Sequence, residues 1–167
     1  MTHMSAIFRR FAFILIIATV IAANGCAKKT KEDEGSVPNA PAADENLSGD
    51  SDSGKAMGLQ TVHFAYDSFS LDGENKAALK ANSEIMKGHG NVKIQIEGHC
   101  DQSGGIQYNI ALGEKRANAV KKFLVDMGVS ADRVTTISFG KERPVDTGTG
   151  DAAAAKNRRA NFVITSK

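Results

Sequence analysis

An α/β sandwich of the α+β kind, one mixed sheet with two main helices on one face, is the fold this sequence predicts. Three observations point to it. Val92, Ile94 and Ile96 alternate with Lys93, Gln95 and Glu97, the period of two of a half-buried strand. Two longer stretches, Asp72 to about Lys87 and about Tyr108 to Met127, instead repeat their apolar residues at helical spacing. Between residues 60 and 167 the elements then succeed one another as βαβαββ, with no internal repeat.

Each element has its own local cause. Val62-His63-Phe64-Ala65-Tyr66 is rich in β-branched and aromatic residues and predicts the first strand. Asp67 to Leu71 is a turn, and Asp72 is placed to cap the first helix. Ala78, Leu79, Ile85 and Met86 group on one face of that helix, and Gly88-His89-Gly90 stops it. A glycine-containing loop leads from Glu97 into the second helix, which Gly128 closes. Val134 to Phe139 predicts a third strand and Ala160 to Thr165 a last one. The 140–157 stretch between them is a loop, with room for one helical turn at Ala152–Ala155.

The chain's beginning has a different character. Arg9-Arg10 precede Phe11 to Ala23, an almost wholly apolar run, the order of charge and hydrophobe found in a secretory signal peptide spanning 1–25. A membrane-crossing helix wants roughly 20 apolar residues, so a retained anchor is the lesser reading. Ala23-Asn24-Gly25-Cys26 resembles the lipobox of bacterial lipoproteins. That resemblance implies cleavage before Cys26, acylation of Cys26 with chains such as palmitate, and, since Ala27 rather than aspartate comes next, the outer membrane as destination. Several acyl chains hold a protein on a bilayer where one does not. Cys100 is then the sole remaining thiol, so no intrachain disulfide can brace the domain.

Residues 26–59 read as a lipid-anchored disordered linker. Lys28 to Glu34 is charged, and from Gly35 onward Ser, Gly, Pro, Asn and Asp dominate, so too little apolar surface is present to offset ordering entropy. Such a stretch has an r.m.s. span of roughly 30 Å and a taut limit of about 110 Å. It carries four basic and seven acidic residues, whereas 60–167 carries fifteen and twelve. That mild excess forms no concentrated basic patch, so nucleic acid is not expected as a partner.

One position breaks the apolar pattern of the second helix. With Leu112 at zero on a wheel of about 100° per residue, Phe123, Met127, Val120 and Leu124 fall between roughly 20° and 120°, a core-facing stripe. Arg116, at about 40°, and Asn109, at about 60°, sit inside it. A guanidinium there is costly unless an anion and full hydrogen bonding compensate. Asp101, just beyond the strand ending Glu97-Gly98-His99-Cys100, is the expected partner. A loop carboxylate beside such an arginine suits a zwitterion, the arginine gripping a carboxylate and the aspartate an ammonium. A purely structural Asp–Arg bridge explains the same residues equally well.

Glu97-Gly98-His99-Cys100-Asp101, Gly104, Tyr108-Asn109, Leu112 to Val120 and Asn157-Arg158-Arg159-Ala160 together resemble the OmpA-like domain family over about residues 60–165. Tyr-Asn-Ile-Ala-Leu-Gly-Glu-Lys-Arg-Ala-Asn-Ala-Val and Ser-Phe-Gly-Lys-Glu-Arg-Pro are similar, within it, to the peptidoglycan-associated lipoproteins. The resemblance implies that Asp101 and Arg116 receive the zwitterionic end of diaminopimelate in a peptidoglycan stem peptide. It implies that Asp67 and Ser68 close the same pocket, that Leu112 forms an apolar wall and that Asn109 makes a polar contact. It also implies a tether between outer membrane and wall, a TolB-like periplasmic protein competing with the wall, a role in cell division, and no enzymatic activity or cofactor. Cys100 stands where the family carries Thr or Ala, and Ser103-Gly104-Gly105 is richer in glycine than usual.

Other readings are weaker. His99, Cys100 and Asp101 are consecutive on a strand and its exit, so they cannot converge on one reacting atom as a thiol enzyme requires. His63, His89 and His99 fit no metal-ligand spacing. Of Arg158 and Arg159, one is expected to support the pocket and the other to be solvated. A protein-interaction hub, or a flagellar-stator-like protein with a retained transmembrane anchor, are the alternative functional classes.

Overall fold

The computed structural model describes residues 49–167; the expected signal peptide, Cys26 and the first part of the expected linker lie outside the described residues. The order is β1 (Val62–His63), α1 (Gly73–Gly88), β2 (Lys93–His99), α2 (Ile106–Asp126), a short 3₁₀ turn, β3 (Val134–Gly140), α3 (Asp151–Asn157) and β4 (Arg159–Ser166). The four strands form one mixed sheet in the order β1-β4-β2-β3. β2 and β3 run parallel, as a crossover through α2 requires, and β4 is antiparallel to both β2 and β1.

Strand alternation puts Ile94 and Ile96 of β2 on the same face as Phe162 and Ile164 of β4. There they pack with Leu79 and Met86 of α1 and Ala117, Val120 and Leu124 of α2, all buried. Asp72 caps α1 as predicted, its carboxylate accepting from the Asn75 N–H at 2.8 Å. Two buried asparagines of α1 close the free edge of β1. The Asn82 amide pairs with both the N–H and the C=O of Gln60, and Asn75 donates to the His63 carbonyl. An edge strand so covered offers no template for pairing with another chain.

Three expectations change. β1 stops at His63 rather than Tyr66, because the carbonyls of Ala65 and Ser68 turn towards Arg116 instead of continuing a ladder. The single helical turn expected at Ala152–Ala155 is a full short helix, α3. Residues 49–59, which read as linker by their polar composition, pack on the domain. Ser51 N–H donates to the Phe162 carbonyl, the Ile164 N–H donates to Gly49, and Ala56 and Leu59 enter the core. Ala56, Leu59 and the partly buried Met57 suffice, because β4 and the side chains of Ser51 and Asp52 supply hydrogen bonds.

Two glycines set how closely α2 lies on β2. A Cβ at Gly98 would stand 1.9 Å from the Gly113 carbonyl oxygen, and one at Gly113 would stand 2.3 Å from Ser138 Oγ. Backbone thus meets backbone at this crossing, and it draws the first turns of α2 against the end of β2. The collision at Gly98 is with main chain, which cannot rotate away. Gly98→Ala should therefore lower stability by about 2–3 kcal/mol or more, the scale of overpacking a dense core, in urea denaturation; a loss under about 0.5 kcal/mol would show that the crossing is loose.

Candidate functional site: a pocket at the end of the sheet

Where β1 and β2 end beside the start of α2, a pocket of about 160 Å³ opens. Tyr66, Asp67, Cys100, Asp101, Ser103, Gly104, Tyr108, Asn109, Leu112, Arg116 and Arg158 line it. That space admits the end of an amino-acid side chain rather than a drug-sized ligand.

Arg116 is the deepest of these, with no solvent exposure. Its Nε donates to Ser68 O at 2.8 Å, Nη1 to His99 O at 2.8 Å and to Cys100 Sγ at 3.4 Å, and Nη2 to Ala65 O at 3.3 Å. The guanidinium also lies 5.1 Å from the centre of the Phe64 ring. Main-chain carbonyl dipoles, rather than a carboxylate, compensate it. Burial pulls its pKa below the ordinary value, opposed by nearby Cys100 and Asp101, yet a guanidinium remains protonated in any protein.

The expected Asp101–Arg116 bridge is absent among the described residues. Asp101 pairs with Arg158 instead, Oδ2 accepting from Nη1 at 3.1 Å, and both side chains are largely buried. The carbonyls of β2 and of the 65–68 turn reach Arg116 first and fill the space a carboxylate would need. Desolvation alone would raise the Asp101 pKa. The Ser103 N–H, at 2.9 Å, and the Arg158 guanidinium outweigh it and hold the carboxyl below its usual range. Two guanidinium groups and the carboxylate of Asp101 therefore share one small space, and among the described residues the deeper cation has no ionic partner.

The other predicted residues fall around this centre. Asp67 lines the mouth, accepts from the Tyr108 hydroxyl and has a positive φ of 51°. Ser68 contributes its carbonyl to Arg116, while its hydroxyl accepts from the Ser70 N–H. Leu112 is an apolar wall. Asn109 is buried and spends its amide on the loop, donating to Ser103 O at 2.7 Å and Gly105 O at 3.1 Å. Lys141 Nζ donates to Gly104 O, so the glycine-rich loop is pinned from two sides.

Several residues of the site are not evident from the sequence. Of the Arg158–Arg159 pair only one is expected inside the pocket, and it is Arg158. Its neighbour Arg159 is not the solvated member that the pair was expected to contain: it is buried on the opposite face, its Nε 2.7 Å from Asp52 Oδ2. Asn157 organises the approach, pairing with the backbone of Val145 and Asp146. Tyr108 lies at about 320° on the α2 wheel, the edge of the stripe that contains Arg116, and that position is a signal for it. Tyr66 directly precedes Asp67. Cys100 Sγ donates to Asn109 O at 3.3 Å, and burial pushes its thiol pKa up, away from thiolate chemistry. His99 points to the other face, stacked on Phe139.

Comparison with known proteins accords with this architecture. Residues 63–158 match the family model described as OmpA family. The peptidoglycan-associated lipoprotein of Pseudomonas aeruginosa is 37% identical over 165 residues, covering 93% of this chain and 96% of that one. The crystal structure of the peptidoglycan-associated lipoprotein from Burkholderia pseudomallei is 39% identical with a TM-score of 0.61, over 62% of this chain and 88% of that one. The C-terminal domain of Helicobacter pylori MotB, 21% identical with a TM-score of 0.59 over 64% of this chain and 84% of that one, shares the fold.

The geometry makes two outcomes measurable. Arg116→Met leaves three carbonyls unsatisfied at about 1 kcal/mol or more each, so urea denaturation should show a loss of about 3 kcal/mol or more; a change below about 1 kcal/mol would refute that anchoring role. Because the Asp101 pKa is depressed in the fold, its contribution to stability is complete above the ordinary value of 3.8 and is lost as pH falls below it. Thermal melts from pH 6 down to about 2.5 should therefore fall less steeply for Asp101→Asn than for the unsubstituted chain. With its motifs, its sheet order and a family match over more than half its length, this chain belongs to the OmpA family.

Proposed function

We propose that this chain is a non-enzymatic envelope lipoprotein that holds peptidoglycan through the diaminopimelate terminus of its stem peptide. Cleavage before Cys26 and acylation of its thiol attach it to the outer membrane, and the domain reaches the wall from the periplasmic side. The observation that carries the reading is the buried cation of Arg116, without a carboxylate of its own among the described residues, beside the Asp101–Arg158 ion pair in one small pocket. Such a site sets two guanidinium groups against two carboxylates, Asp101 at its centre and Asp67 at its mouth, and a zwitterionic amino-acid terminus complements both signs. Relatives named peptidoglycan-associated lipoprotein, aligned over nearly the whole chain, support it.

In this reading a TolB-like periplasmic protein competes for the same face, and the tether serves envelope constriction during cell division. The tether is residues 27–48, with a taut length of about 75 Å. That is less than the span read from composition, because 49–59 belongs to the domain.

Retention of the full chain on purified sacculi tests the wall-binding part. Asp101→Asn removes the negative charge at constant shape and should cut retention about tenfold; equal retention of two folded proteins would remove the mechanism. Mass spectrometry of the mature N-terminus tests the anchor separately. Acylated Cys26 is the expected result, and an intact 9–23 segment would favour a stator-like protein instead.

A further inference from the structure

Both main helices pack on one face of the sheet, so cover on the other face has to come from smaller pieces. His99 is buried there, with 2% of its side chain exposed, and neither ring nitrogen has a hydrogen-bond partner among the described residues. Its Nε2 lies 3.4 Å from Glu97 Oε2, and Nη1 of Arg159 is likewise buried without a partner. An imidazole in this state is kept from protonating by its cover.

That cover has few parts. Phe139 of β3 stacks on the ring, Arg143 lies 3.7 Å from the centre of Phe139, and Arg159 of β4 and Asp52 of the 49–59 segment are near enough to act on the ring's charge. The segment is fastened through the same groups. Asn161 donates to Glu97 at 3.0 Å and accepts from Ser51 Oγ at 2.8 Å and from the Asp52 N–H at 3.1 Å. Arg159 Nε holds Asp52 at 2.7 Å. His63 of β1, exposed and paired in register with Arg159, is the other imidazole on this face.

We propose that residues 49–59 are a strap latched over His99, and that proton uptake by this ring releases the strap from the sheet. A proton on His99 sets a third cation beside the guanidinium groups of Arg143 and Arg159, against the two carboxylates of Glu97 and Asp52, where burial makes it costly. Lifting the strap admits water to the ring. Burial, the largest influence on His99, holds its pKa below the ordinary 6.5, and Glu97 offsets this only in part. With the strap lifted the ring returns towards that value. Closure is therefore fully favoured above about 6.5 and weakens as pH falls below it. The latch stands on the domain alone, and its consequence rests on the tether reading: releasing 49–59 adds about 35 Å of taut chain.

The test is amide hydrogen exchange of the full chain in detergent, read by NMR at about pH 7.5 and 5.5 and corrected for the intrinsic pH dependence of exchange. The Ser51 and Ile164 amides bond across the junction, to the carbonyls of Phe162 and Gly49. Their protection should fall about five- to tenfold at the lower pH, the change that an imidazole of ordinary pKa allows over this interval. Amides of the β2–β3 ladder should change less than about twofold. His99→Phe keeps an aromatic ring on Phe139 and takes up no proton, so its junction amides should hold their protection within about twofold. His63→Gln should keep the full pH dependence. Ser51→Pro removes the Ser51 N–H and hydroxyl bonds without changing charge. It should bring the His99 titration, followed by NMR, up towards 6.5, which decides the matter if His99→Phe does not fold. Junction protection that ignores pH would overturn the latch. So would a pH dependence that survives in His99→Phe, vanishes in His63→Gln or extends equally to the β2–β3 amides, and so would a His99 titration unmoved by Ser51→Pro. None of these readouts involves peptidoglycan, so failure here leaves the wall-binding reading standing.

Discussion

A cation in a protein core has to be surrounded by oxygen, and much of one end of this domain is arranged to meet that demand. Arg116 rises from an otherwise apolar stripe of α2 into the space between the ends of β1 and β2. Carbonyls from three separate residues turn towards it, and to do so the chain leaves the β1 ladder early and passes through a left-handed residue at Asp67. The direction of the 65–68 turn, the exit of β2 into Cys100 and Asp101, and the depth of the pocket are consequences of one side chain. Charge on the guanidinium is met by several carbonyl dipoles, none of which cancels it, so Arg116 keeps its full positive charge beside the pocket. A carboxylate in the same place would have neutralised it and closed the site.

That distinction marks the limit of what residues alone disclose. The helical wheel finds Arg116 as an anomaly and desolvation demands compensation, but a carbonyl is present at every position and leaves no trace in a sequence. Asp101 is therefore the visible partner and Arg158, more than fifty residues away along the chain, the one that Asp101 meets. Sheet and helices are legible because alternation and helical spacing are properties of neighbouring residues. The docking of 49–59 is not, since only Ala56, Met57 and Leu59 of a polar stretch pack on the core, and the rest of the attachment is backbone and the polar side chains of Ser51 and Asp52. The expectation that one of Arg158 and Arg159 is solvated fails at Arg159 for a related reason. Whether a strand residue is solvated depends on what covers that face, and here the cover is Asp52, from a segment whose composition reads as linker.

The two faces of the sheet divide the charged residues between them. On the pocket side lie Arg116, Asp101 and Arg158. On the other, Glu97, His99, Arg159 and Asn161 form a polar cluster closed by Ser51 and Asp52. Burial pushes the His99 imidazole pKa down against the pull of Glu97. The Glu97 carboxyl stays below its usual range despite its own burial, because the His99 ring lies 3.4 Å from it and Asn161 donates to it. His99 belongs to both sides, its ring in the cluster and its carbonyl on Arg116. One strand end thus fastens Ser51 and Asp52 on one face and shapes the pocket on the other.

The attachment of Gly49 to Ser51 has a mechanical side. These residues pair with β4 antiparallel, Gly49 opposite Ile164 and Ser51 opposite Phe162, so the chain enters the fold at the end of β4 furthest from Arg158. If the pocket is held and the entering chain is pulled, tension runs lengthwise along the strand, and the hydrogen bonds lie across it. They then bear the load together in shear instead of opening one after another like a zip. A domain threaded in this direction resists extraction best when the pull runs along the axis of β4.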